Sequence, residues 1–162
     1  MAGRERSGVE YADPAVFRGA NYIVTPTERN TEENILTCEA IGHAIGAGKV
    51  SRLSPEKHDE MIGFLSQLTH AIAVSLMTCK DSSHLLDYTG DSFRDLTRIA
   101  KINEIMWTEL FLLNKQELLA QMDLFLARFS ELRGALLRED SESLKQMMRL
   151  STESRELFDK KI

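Results

Sequence analysis

At 162 residues, 43% hydrophobic and 28% charged, the chain has the size of one domain, or of one domain with an appendage, and enough apolar residues to bury a core. Its formal net charge of -5 counts against a nucleic-acid partner, which calls for clustered Lys and Arg. No unbroken apolar run approaches the roughly 18 residues of a membrane span, and the opening MAGRERSG lacks the apolar stretch of a signal peptide, so the expectation is a cytoplasmic protein with no membrane partner.

Residues 1–20 are glycine-bearing and charged, with Asp13-Pro14 as a turn signal. Tyr22-Ile23-Val24 is a short β-branched run that reads as a strand, ended by Pro26. Thr31 is placed to cap a helix whose first turn holds Glu32 and Glu33, where the helix dipole favours acids. That helix, Glu32 to Ile45, carries Ile35, Leu36, Ala40 and Ala44 near one face and is stopped by Gly46 and Gly48. Lys49 to Leu53 follows as a second strand. Residues 20–53 thus read β-α-β, a unit too small to cover two faces of a sheet, and so a fragment of something larger.

From Ser54 the pattern is helical. Ser54 suits an N-cap and Pro55 a first helical position, where its missing N–H goes unmissed. Met61, Ile62, Leu65, Leu68, Ile72, Leu76 and Cys79 recur at three- and four-residue steps. A polar connection, Lys80 to Asp91, leads to a short helix from Ser92 to Lys101 with Phe93, Leu96 and Ala100 on one side. Asn103 then caps the longest predicted helix, Glu104 to Leu137. Phe111, Leu118, Met122, Phe125, Phe129, Leu132 and Leu136 form one stripe along it, and Leu112, Leu119 and Leu126 a second. Two stripes need more than one neighbour, met either inside a monomeric bundle or at a subunit interface. Gly134 weakens this helix by about 1 kcal/mol relative to Ala. Asp140-Ser141 caps a last helix, with Leu144, Met147, Met148 and Phe158 as its apolar face. The expected class is mainly α: a helical domain over 54–162 preceded by the small β-α-β unit of 1–53.

Few residues offer chemistry. The four histidines lack the Glu-x-x-His spacing of a di-metal bundle, and Cys38 and Cys79 have no metal or redox spacing, so no metal is expected. There is no Gly-x-Gly-x-x-Gly and no P-loop, and Gly42-His43-Ala44-Ile45-Gly46-Ala47-Gly48 reads as a helix end. Ser66 and His70 share a helix face at i, i+4; a half-buried His bonded to a carbonyl explains them as well as a pocket does. Arg94 and Arg98 have the same spacing, with Asp95 between them. Like charges there repel by a few tenths of a kcal/mol, which solvent, or an anion, relieves. Trp107 is the only Trp and suits a core or an interface.

Several segments, in order, resemble one family. Met1-Ala2-Gly3, Glu5 and Ser7-Gly8-Val9-Glu10 are similar to the stretch just after the catalytic His-Pro of prephenate and arogenate dehydrogenases. Tyr22-Ile23-Val24-Thr25-Pro26-Thr27 resembles a late strand of that family, and Ser54-Pro55-Glu56-Lys57-His58-Asp59 its Ser-Pro-x-x-His-Asp helix start. Phe93-Arg94-Asp95-Leu96-Thr97-Arg98-Ile99-Ala100 resembles its most telling motif, followed in register by Met106-Trp107. The resemblance covers essentially the whole chain. It implies an oxidoreductase that converts prephenate to 4-hydroxyphenylpyruvate, or arogenate to tyrosine, with NAD or NADP. It further implies a helical half that forms a homodimer beside a Rossmann half, of which residues 1–53 would be the C-terminal remnant.

By the same resemblance Arg98 would bind a substrate carboxylate, a role its planar fork suits. His70, Ser66 and Gln67 would line the pocket, Asp95 and Trp107 would contribute to the site or its rim, and Glu5 would stand at the mouth of the cleft. The family often has Ser-His-Leu-Pro-His where this chain has Ser66-Gln67-Leu68-Thr69-His70, so an uncharged amide replaces the first ring. The family's catalytic His and glycine-rich fingerprint would both lie upstream of Met1, so this chain alone is expected to bind no cofactor and to be inactive. The alternative, from a different class, is a stand-alone helical interaction module without chemistry.

Overall fold

A computed structural model describes residues 8–81 and 83–159. The β-α-β reading holds: β1 (Asn21–Val24) and β2 (Lys49–Arg52) pair in parallel, Asn21 opposite Lys49 and Val24 opposite Arg52, with α1 (Glu32–Ala44) crossing between them. Thr31 Oγ1 accepts from the Asn34 amide, so α1 starts where the cap was expected. Gly46, at φ 85°, turns the chain out of it in the left-handed region that favours glycine. Helix and sheet meet through Gly42, where a Cβ would lie 2.7 Å from the Tyr22 ring and 3.1 Å from Val50 Cγ2. Arg52 closes the unit from the other side. Its guanidinium bridges Glu39 and Glu32, which holds the Glu39 carboxyl below the usual range.

The helical run after Ser54 has three parts. These are α2 (Pro55–Ile62), a π-helical turn Gly63–Leu68 and α3 (Thr69–Thr78). Ser54 Oγ accepts from the Lys57 amide at its start. The π turn was not predicted. The run Pro55–Thr78 is also long enough to cross a membrane and contains an 18-residue window of mean hydropathy 1.4. Ser66, Gln67, Thr69 and His70 divide it into shorter apolar pieces. Its buried side, with Leu68, Ala71 and Ala73, is the centre of a core.

The connection after α3 contains a 3-10 segment, Ser83–Tyr88, and the predicted short helix is α4 (Asp91–Thr97) continued by a 3-10 turn, Arg98–Ala100. Both α4 and that turn pack against α3. The single long helix predicted over Glu104–Leu137 is corrected: it is α5 (Glu104–Leu113) and α6 (Lys115–Leu137), broken at Asn114, whose φ of -108° and ψ of 29° leave the helical region. Asn103 caps α5 through the Met106 amide, and Asp140 caps α7 (Ser141–Glu156) through the Ser143 amide.

The chain falls into two compact units, residues 1–118 and 119–162. The expected boundary after residue 53 lies inside the first. In the first unit the buried apolar residues are Val24, Leu68, Ala71, Ala73, Trp107 and Leu118; in the second, Ala135. Leu124, Leu126, Phe129 and Leu136 of α6 are each more than half exposed. A groove in this second unit, about 590 Å³ in volume, is lined by Arg128, Glu131 and Gly134 of α6 and Met147 and Leu150 of α7.

Candidate functional site

Four of the residues expected to carry chemistry, Ser66, Gln67, His70 and Trp107, lie on the π turn, α3 and α5. His70 and Trp107 stack, with ring centroids 3.7 Å apart and planes at 28°. Phe111 meets the other part of the indole edge-on at 5.6 Å. Trp107 is 7% exposed, so it is first a wall of the core and only along its stacked side a partner of His70.

His70 Nδ1 lies 2.8 Å from the Ser66 carbonyl oxygen. A carbonyl only accepts, so Nδ1 carries the proton in this bond. In the neutral ring Nε2 then holds the lone pair and is an acceptor. The Ser66 carbonyl also takes the Thr69 hydroxyl, at 2.7 Å, and the Thr69 amide. This concentration of donors on one oxygen accompanies the π turn, in which carbonyls align with amides five residues on rather than four.

Gln67, expected on the pocket wall, is 3% exposed. Its Nε2 donates to the Leu110 carbonyl at 2.9 Å, and its Oε1 accepts from Asn114 Nδ2 at 2.8 Å. Asn114 Nδ2 also donates to the Asp59 carbonyl at 2.9 Å. No buried side-chain polar atom among the described residues is left without a partner. Asn114 was not singled out in the sequence. The signal available was a residue well suited to helix ends set inside the leucine-rich run Leu110–Leu119.

Asp95 and Arg98 ride on α4 and its 3-10 extension, the segments packed on α3, and both side chains are exposed. Arg94 Nη1 lies 3.5 Å from Asp91 Oδ1, and its Nη2 lies 3.4 Å from Thr89 Oγ1. The structure thus brings Ser66, Gln67, His70 and Trp107 together and sets the segment of Asp95 and Arg98 against the same helix. Glu5 lies outside the described residues. No group of three or more potential metal ligands gathers among the described residues. In chemical terms the cluster offers a flat aromatic face, one imidazole nitrogen with a defined role, and nearby arginines able to grip a carboxylate.

Comparisons with known proteins point to one family. Residues 54–150, more than half of the chain, match the family profile described as prephenate dehydrogenase, dimerization domain. The prephenate dehydrogenase of Bacillus subtilis is 31% identical over 149 residues, covering 89% of this chain and 40% of that protein. The cyclohexadienyl dehydrogenase of Zymomonas mobilis is 29% identical over 161 residues, covering 96% of this chain and 55% of that protein. The prephenate dehydrogenase of A. aeolicus, solved with hydroxyphenyl propionate and NAD+, superposes with a TM-score of 0.88 at 32% identity, over 98% of this chain and 57% of that one. This chain therefore spans about half of the proteins it matches. With its helical fold and the profile match starting at Ser54, the chain belongs to the prephenate and arogenate dehydrogenase family, of which it carries mainly the C-terminal dimerisation domain.

Proposed function

We propose that this chain is the C-terminal part of an enzyme that oxidises and decarboxylates prephenate to 4-hydroxyphenylpyruvate with NAD or NADP. The observation that carries the reading is the likeness, over 98% of the chain, to an A. aeolicus enzyme solved with hydroxyphenyl propionate and NAD+. Hydroxyphenyl propionate has the aromatic ring and side-chain carboxylate of such a product. Arginine on the α4 extension, imidazole and indole on α3 and α5 are groups that recognise those two features.

On this reading Arg98 grips a substrate carboxylate, while His70 and Ser66 border the ring. Asp95 and Trp107 complete the wall or rim, Gln67 acts from beneath it, and Glu5 stands at the cleft mouth. Hydride passes from the ring carbon bearing the hydroxyl to the nicotinamide, a base takes the hydroxyl proton, and loss of carbon dioxide makes the ring aromatic. This chain contributes position and charge to those events. The base and the phosphate-binding turn belong to the half that the relatives have in addition. Arogenate with the same chemistry is the neighbouring substrate.

Supplied with that nucleotide-binding half, the protein is expected to reduce NAD+ or NADP+ when given prephenate, read as nicotinamide absorbance. The 162-residue chain alone is expected to show neither turnover nor calorimetric binding of NAD+. A longer protein that turns over neither prephenate nor arogenate would overturn the assignment. The exposed apolar face of α6 and the match to a dimerisation domain support a homodimer, with an obligate interface of roughly 2,000 Å² or more. Light scattering that found a folded monomer at micromolar concentration would refute it.

A further inference from the structure

The amides of Gln67 and Asn114 sit beneath the His70–Trp107 stack and connect three pieces of backbone. Asn114 marks the break between α5 and α6. The Leu110 carbonyl beside it takes two donors, the Asn114 backbone N–H at 3.3 Å and Gln67 Nε2 at 2.9 Å. Through its two Nδ2 hydrogens Asn114 in turn holds Gln67 Oε1 and the Asp59 carbonyl of α2. Each side chain therefore reaches a backbone carbonyl of another segment. Gln67 ties the π turn to the end of α5, and Asn114 ties the π turn and the α5–α6 break to α2.

We propose that Gln67 and Asn114 are positioning residues that pin the π turn to the α5–α6 break and thereby fix the tautomer in which His70 presents its ring. A π turn holds one residue more than the α-helical turn it replaces and is stable only where tertiary contacts maintain it. Released from Gln67, residues 63–68 relax toward α-helix. The Ser66 carbonyl then aligns with an amide four residues on and turns from the imidazole. With that bond gone, nothing on Ser66 keeps the proton on Nδ1, and Nε2 ceases to be reliably an acceptor. The pair acts through His70 and touches no substrate. Its importance for turnover rests on the reading of His70 as a pocket residue, but its effect on the ring does not.

The test is nitrogen-15 NMR of the imidazoles in the 162-residue chain, at a pH where the rings are neutral, with His70 assigned by the signals lost in His70→Gln. In the wild type the proton is expected on Nδ1. Two variants carry the comparison, Asn114→Ala and the double variant Gln67→Leu/Asn114→Leu. The double variant removes both partners and so leaves no buried amide unpaired. In a variant that remains helical by circular dichroism, the ratio of the Nδ1–H to the Nε2–H form should fall about fivefold, the shift produced by losing a hydrogen bond worth about 1 kcal/mol. An unchanged ratio in a folded variant overturns the proposal, as does a wild type protonated on Nε2. Failure of both variants to fold overturns it as well, since the network would then serve the fold as a whole. The measurement needs no substrate or cofactor. A longer enzyme inactive on prephenate would therefore defeat the functional assignment and leave this result standing.

Discussion

Replacing Trp107 by alanine tests whether the indole is a wall of the core before it is part of a pocket. Trp107 is 7% exposed, lies against His70 at 3.7 Å and meets Phe111 at 5.6 Å. Removing a large aromatic from water at about 25 cal/mol per Å² gives an upper figure of about 5 kcal/mol. Measured truncations of buried aromatics cost about 3–5 kcal/mol, the spread reflecting how far the hole collapses. Here the hole has a flat imidazole on one side and a ring edge on another, neither able to fill it, so the loss should lie at the upper end. The assay is urea unfolding followed by far-UV circular dichroism, because the substitution removes the only Trp. With a slope of about 2 kcal/mol per M, the midpoint should fall by about 2 M. Trp107→Phe keeps a ring over His70 and should lose about 1–2 kcal/mol. A loss below about 1 kcal/mol for Trp107→Ala would show that the indole is not part of the packed core, and the stacked geometry would have to be abandoned.

In the longer enzyme, Arg98→Ala should raise KM for prephenate roughly 100-fold, from about 2.7 kcal/mol of lost carboxylate binding, with a smaller change in kcat. Arg98→Lys should recover only part of it, for want of a two-point contact, and Arg94→Ala should be milder; steady-state kinetics showing the reverse order would refute the assignment. Gly42→Ala sets a helix-propensity gain of at most about 1 kcal/mol against an overpacking cost of about 1–3 kcal/mol. With the new Cβ 2.7 Å from the Tyr22 ring the cost should win, and a variant with a higher melting temperature would show that the ring yields. Asp140 accepts from the Ser143 hydroxyl and amide, which holds its carboxyl below the usual range. Its contribution is therefore present above the unfolded value of about 4 and fades as pH falls through the lowered one. The stability gap between wild type and Asp140→Ala, from urea unfolding, should narrow between pH of about 7 and about 3.

The helix starts were legible because each is a local device. Thr31, Ser54, Asn103 and Asp140 each accept from an amide three residues on, and each was named from its residue type and the run behind it. The β-α-β order was equally legible, from Pro26 and the glycines that end its pieces. The π turn was not, because apolar residues at steps of three and four look the same whether or not one turn holds an extra residue. The break at Asn114 was hidden for a related reason. The leucines on both sides continue the stripe, and the side chain that Asn114 meets at the break, Gln67, lies 47 residues away in sequence. Of the site, Ser66, His70 and Trp107 could be named from motifs. That Gln67 turns inward depends on partners that no local pattern announces.

The pairing of β1 with β2 bears on how this part of the chain comes apart. Parallel strands cannot be joined by a tight hairpin, and the first bond of this ladder joins residues 28 positions apart, from Asn21 to Lys49. Closing a loop of that length costs on the order of 3 kcal/mol before any contact compensates it. Two strands of four residues cannot offset this alone. The ladder therefore forms only together with α1, docked through Gly42 and tied by Arg52. In hydrogen exchange the amides of β1, β2 and the buried face of α1 should open as one cooperative unit with a single free energy. The helices α3 and α5, which hold the buried Ala71, Ala73 and Trp107, should remain protected after that unit has exchanged.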